Sequence, residues 1–176
     1  MHDYVLQVSR ILAKSNETYA PVCPVKVARK HGITVRGIEF SGLQSDIAGR
    51  LVMTDDGSPV IEFNSSVPGS SRQRMIVAEM LGHFFLGHGS SVSLLSQERT
   101  RKDREAYRFG LELLMPQRFL AHAIMEKHLE PLAASEHFAV EFKDFVAQMK
   151  ELKRSVDGHK HQEQAVETYE PLFAAV

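Results

Sequence analysis

A chain of 176 residues with 43% hydrophobic and 24% charged residues has the length and composition of one globular domain, which excludes a disordered or fibrous polymer. Lys and Arg total 21 against 22 Asp and Glu, a formal charge of −1, so no global basic field draws the chain to nucleic acid. The lone Cys23 excludes an intrachain disulfide and a thiolate zinc site; it fits a reducing compartment, with a small buried apolar residue as its expected role. No apolar run approaches the roughly 20 residues of a membrane span. The amino terminus carries Asp3 and polar residues in place of a secretion signal, so a cytoplasmic protein is expected.

Val5, Leu6, Val8, Ile11 and Leu12 recur at near-helical spacing over 3–14, and a second short helix over 24–31 stops at Gly32. The β-rich runs 33–40, 49–54 and 59–64 predict a three-stranded, mainly antiparallel sheet, the last two strands joined by the turn Asp55-Asp56-Gly57-Ser58. The Ser/Pro/Gly loop 65–71 supplies an N-cap for a long helix over 71–87, closed by Gly87 and Gly89. Helices near 97–114, 117–128, 131–139 and 141–154 complete the pattern. A strand block followed by a helix block predicts one α+β domain over 1–155, with a mobile tail over 156–176.

The long helix carries Glu79-Met80-Leu81-Gly82-His83. In an H-E-x-x-H helix two histidines four residues apart face one zinc ion, and the intervening glutamate is the general base toward bound water. Against that pattern the first ligand is Glu79, the base is Met80, and only His83 is retained. A thioether cannot accept a proton at neutral pH.

Further on, Glu105-Ala106-Tyr107-Arg108-Phe109-Gly110 and Leu113-Leu114-Met115-Pro116 resemble the E-A-N-x-F-A and L-L-M-P signature of ImmA/IrrE-type metallopeptidases. The stretch from Pro24-Val25 to Gly32-Ile33-Thr34-Val35 is similar to that family's opening element, and Leu132-Ala133 through Phe138-Ala139-Val140 to its closing one, so the resemblance spans about 20–155. It implies a gluzincin-like metallopeptidase fold packed on a helix bundle, relatives that cleave transcriptional repressors of mobile elements or stress responses, and Glu105 as third zinc ligand. Tyr107 stands where the family has Asn, and Glu141 where it has Ser.

Glu79, His83 and Glu105 are therefore the candidate metal ligands. Two carboxylates and one imidazole are a harder donor set than two imidazoles and one carboxylate, which shifts preference toward manganese, iron or magnesium without excluding zinc. The alternative is a metal-free site in which Glu79 and Glu105 pair with Arg74, Arg104 or Arg108, and His83 donates to a carboxylate. A shifted register fails, because it would put ligands at Ala78 and Gly82. His88 lies about 140° around a helix from His83, so the two cannot face one ion while helical; His88 reads as a helix-end residue. A replacement base would have to come from a distant residue such as Glu62 or Glu112, and no catalytic residue is assigned.

Met75, Ile76, Met80, Leu81, Phe84 and Phe85 read as core; the alternative has Met80 extending an apolar surface into the cleft. The cleft is expected between the strand ending near Phe63 and the helix of His83. The carboxyl-terminal helices resemble the helix-turn-helix part of the family. There Lys143, Lys150, Lys153 and Arg154 alternate with Glu136, Glu141, Asp144 and Glu151, a mixed-charge face in place of a phosphate-tracking stripe. His159 and His161 make at most a transient metal cluster.

The functional expectation is a catalytically impaired pseudo-metallopeptidase, with no cofactor, that binds a transcriptional repressor or a toxin–antitoxin-type partner. The alternatives are a divergent endopeptidase using zinc or manganese to cleave a helix-turn-helix repressor, and a DNA-associated regulatory subunit.

Overall fold

The computed structural model describes residues 3–96 and 99–158. Helix α1 (Asp3–Ser15) turns Val8, Ile11 and Leu12 into the core, and α2 (Pro24–Lys30) begins with a proline whose missing N–H costs nothing in a first turn. Cys23 just before α2 is half-buried, short of full burial, and its N–H donates to the Glu17 carboxylate at 3.0 Å.

Four strands form the sheet, not the three expected: β1 (Thr34–Ile38), β2 (Ile47–Met53), β3 (Pro59–Asn64) and β4 (Ser91–Leu94), in the order β1-β3-β2-β4. β2 and β3 form an antiparallel hairpin with Met53 opposite Pro59; Gly57 takes φ 78° in the turn, which the Thr54 N–H closes onto the Ser58 carbonyl at 3.0 Å. β1 lies parallel to β3, and β4 antiparallel to β2 with a register shift between Ile47 and Gly49. The mainly antiparallel character holds. The added strand is short, and its alternating Ser91-Val92-Ser93-Leu94 was hidden among the serines of the predicted loop.

The motif helix α3 (Ser70–Phe85) starts after Gly69 and ends before Leu86, two residues earlier than the 71–87 pattern. Helix α4 (Arg101–Leu114) is capped by Thr100, whose hydroxyl accepts from the Asp103 N–H at 3.2 Å while the Asp103 carboxylate accepts from the Thr100 N–H at 2.8 Å. α3 and α4 pack antiparallel, Gly82 against Ala106 and Gly110 against Ala78. A short α5 (Gln117–Ala121) runs into a π-helical turn over His122–Glu126, followed by α6 (Pro131–His137) and α7 (Phe142–Gly158), which continues past Ser155. The expected tail beyond Gly158, with His159 and His161, lies outside the described residues.

One core joins these layers. Leu51 and Ile61 from the sheet meet Met80 and Leu81 of α3, Phe109 and Leu113 of α4, Phe138 after α6 and Phe145 of α7. Each such burial contributes about 1.5–3 kcal/mol. No helix among the described residues is long and apolar enough to cross a membrane.

Candidate functional site

An open cleft of about 800 Å³ lies against α3, walled by β4, α4 and α7. The wall expected at Phe63 is absent, because β4 occupies the sheet edge beside the cleft while Phe63 packs against Ala48, Val67 and Ile76.

Glu79 sits in the floor with its side chain 4% exposed. One carboxylate oxygen accepts from the Ser93 hydroxyl at 3.3 Å, the other from the Arg99 guanidinium at 3.5 Å. Burial raises its pKa, and Arg99 opposes that shift. The Arg99 guanidinium also lies 4.1 Å over the Tyr107 ring, and the Tyr107 hydroxyl donates to Asp144 at 2.6 Å. Burial, then the Asp144 charge, pushes the Tyr107 hydroxyl well above its ordinary range; Asp144 is itself raised by burial. A relay thus runs Ser93–Glu79–Arg99–Tyr107–Asp144 across the position where the family pattern puts a histidine ligand.

Met80, in the position of the base, is fully buried in the core and does not line the cleft. The core reading of this helix holds for Met75, Ile76, Met80 and Leu81, with Phe84 and Phe85 partly buried against them.

His83 is 1% exposed, and burial, helped by the neighbouring His88, lowers its pKa to about 4, so it is neutral at pH 7. Because α3 stops at Phe85, the chain folds back and brings the His88 Nδ1 to 3.2 Å from the His83 Nδ1. The separation around a helix does not apply once the helix has ended. On its other side the His83 Nε2 lies 3.4 Å from an Asp103 carboxylate oxygen, without the alignment of a hydrogen bond.

Glu105 is 40% exposed and turned toward Arg101 at 2.9 Å and the His88 Nε2 at 3.6 Å; hydrogen bonding to Arg101 holds its carboxyl below the ordinary value. The three candidate ligands therefore look in different directions: Glu79 to Arg99, His83 to His88 and Asp103, Glu105 to Arg101 and His88. Among the described residues no three His, Cys, Asp or Glu side chains are grouped to hold a metal ion.

The cations differ from those expected. Arg74 donates to the backbone carbonyls of Val22, Phe138 and Ala139, Arg108 pairs with Glu151, and Arg104 donates to the Arg99 carbonyl. Glu62 pairs with Arg50 on the sheet, and Glu112 is buried against Gln148, so neither proposed substitute base lines the cleft. Sequence reasoning missed Ser93, Arg99 and Asp103. Only Asp103 had a signal, as the acidic residue three positions after Thr100.

A mixed sheet over an antiparallel helix pair, with the E-M-L-G-H helix flooring an edge-strand cleft, defines a metallopeptidase-like α+β domain. Residues 28–146 match the Peptidase_M78 family model, described as the IrrE N-terminal-like domain, and the chain belongs to that family. None of the curated proteins compared matches it.

Proposed function

We propose that this chain is a non-catalytic member of its family, a cytoplasmic regulatory module that binds a protein partner in the cleft without cutting it. The partner class is a transcriptional repressor, the kind of protein that the resemblance gives the family's active peptidases as substrate, or a toxin–antitoxin-type regulator. The observation that carries this reading is the fate of the two altered motif positions: Glu79 is engaged by Arg99 and Ser93, and Met80 is sealed in the core. A water molecule in the cleft would find no base at position 80. The edge strand β4 has a neighbour on one side only, and an extended segment adds to such an edge through main-chain hydrogen bonds.

Incubation of pure protein with a helix-turn-helix repressor and excess zinc or manganese should leave the repressor intact by mass spectrometry. The melting temperature should be unmoved by either metal. Chelator-sensitive cleavage, or a metal-dependent rise in Tm that His83→Ala abolishes, would overturn this reading in favour of a divergent metal-dependent endopeptidase.

A further inference from the structure

The carboxylates that line the cleft are already engaged: Glu79 by Arg99 and Ser93, Asp144 by the Tyr107 hydroxyl, Asp103 by the Thr100 N–H, Glu141 by Lys143 at 2.6 Å and Glu151 by Arg108 at 3.3 Å. Arg72, partly exposed near the start of α3, and Arg104, exposed in the first turn of α4, line the same cleft. Neither guanidinium has a carboxylate partner among the described residues; Arg104 spends one N–H on the Arg99 carbonyl at 2.8 Å. Arg72 and Arg104 are thus two guanidinium groups on one cleft that an incoming carboxylate can engage without displacing a resident one.

Their separation follows from the helix pairing. With Gly82 beside Ala106 and Ala78 beside Gly110, Arg104 is level with Phe84 of α3. That puts it about 18 Å along the helix axis from Arg72. An extended polypeptide covers this span in about five to six residues. Between the two arginines the floor offers Met75 and Ile76, and β4 offers its free edge. Apolar floor and strand edge suit a peptide, whereas a phosphate strand tracking the cleft would pass along the carboxylates of Glu79 and Asp103 in its lining.

We propose that the cleft is built for an extended polypeptide carrying two carboxylates about five to six residues apart, one for Arg72 and one for Arg104, with apolar side chains between them. The proposal rests on the protein-binding reading above and gives its partner a chemistry.

A displayed library of random peptides, selected on the whole chain, is the test. Recovered peptides should be enriched in Asp or Glu at two positions with that spacing, and their capture should fall at least tenfold on the Arg72→Gln/Arg104→Gln double variant. The charge-reversed Arg72→Glu/Arg104→Glu protein should select Lys or Arg at the same spacing. Both side chains reach solvent, and circular dichroism confirms that the variants fold. Recovery of no peptides, no acidic enrichment, or enrichment that survives in the double variants overturns the proposal. So does oligothymidylate binding, read by fluorescence anisotropy, that disappears with the same substitutions, because the arginines would then serve phosphates. A cellular protein captured by the chain and indifferent to both substitutions would refute the acidic pattern and spare the protein-binding reading. Cleavage of the selected peptides would do the reverse.

Discussion

Gly82 meets Ala106 backbone to backbone: a Cβ on Gly82 would lie 2.5 Å from the Ala106 carbonyl oxygen and 2.9 Å from its Cα. The two obstructing atoms belong to a helix, which cannot swing aside as a side-chain end can. Gly82→Ala should therefore cost about 2 kcal/mol net, although alanine is the better helix former by about 1 kcal/mol. Gly110 faces Ala78 and Glu79 at 3.2 Å, where a few tenths of an ångström suffice, and the family motif places alanine there. Gly110→Ala should change stability by less than about 1 kcal/mol in urea unfolding.

Met80→Glu restores the base of the family pattern in name only. The side chain is fully buried, so a carboxylate there would be desolvated without a partner, and the variant should lose about 3 kcal/mol or stay protonated. Thermal unfolding should show the loss, and repressor incubation should show no new fragments. Glu79→His must accompany it, since ligand and base act as a unit.

The Tyr107 hydroxyl donates to Asp144 at 2.6 Å, and the second Asp144 oxygen has no hydrogen-bond partner among the described residues. Tyr107→Phe should destabilise by about 1–3 kcal/mol by leaving a buried carboxylate unserved. Combining it with Asp144→Asn should recover part of that loss, a coupling readable in a double-mutant cycle.

Glu105→Ala, by contrast, should leave stability essentially unchanged. Its Arg101 partner is 88% exposed, and the pair is a solvent-screened i,i+4 contact. A clear drop in the denaturation midpoint would mean that Glu105 holds more than Arg101 and His88.

Glu112 gives the fold a pH dependence. Burial between α4 and α7 raises its carboxyl from 4.5 to about 7, against the lowering effect of the Gln117 N–H and the Gln148 amide. The folded state then binds the proton more tightly than the unfolded chain. The contribution is fully present below about pH 4.5 and is lost as pH rises through about 7, a change of about 3 kcal/mol. Glu112→Gln should remove this decline: unfolding free energies of variant and wild type should converge at pH 4, with the variant the more stable at pH 8.

Much of this architecture was legible from periodicity and punctuation. The β2–β3 hairpin followed from Asp55-Asp56-Gly57-Ser58, and the motif helix from its loop and apolar period. β4 was not, because a short edge strand alternating serine with Val92 and Leu94 buries too little to leave a hydrophobic signature. At the site, local spacing correctly put Glu79 and His83 on one helix, yet it could not say where their polar atoms point. Arg99 reaches Glu79 through a tertiary approach with no periodic trace, and His88 reaches His83 because the helix stops two residues earlier than its apolar pattern suggested.

The strand order carries a consequence for how the domain opens. β2 and β3 are neighbours in chain and in space, so their hairpin closes the smallest loop and can form early, whereas β4 joins β2 only after α3 has been laid down between them. The strand added late, at an edge and with four residues, is also the one that can detach at least expense. Amide hydrogens of Ser91–Leu94 should exchange through local opening well below the free energy of global unfolding, while those of Leu51 and Ile61 wait for the whole domain. The wall of the cleft is then its most readily remodelled part, and a partner that adds a strand there would slow exchange first in β4.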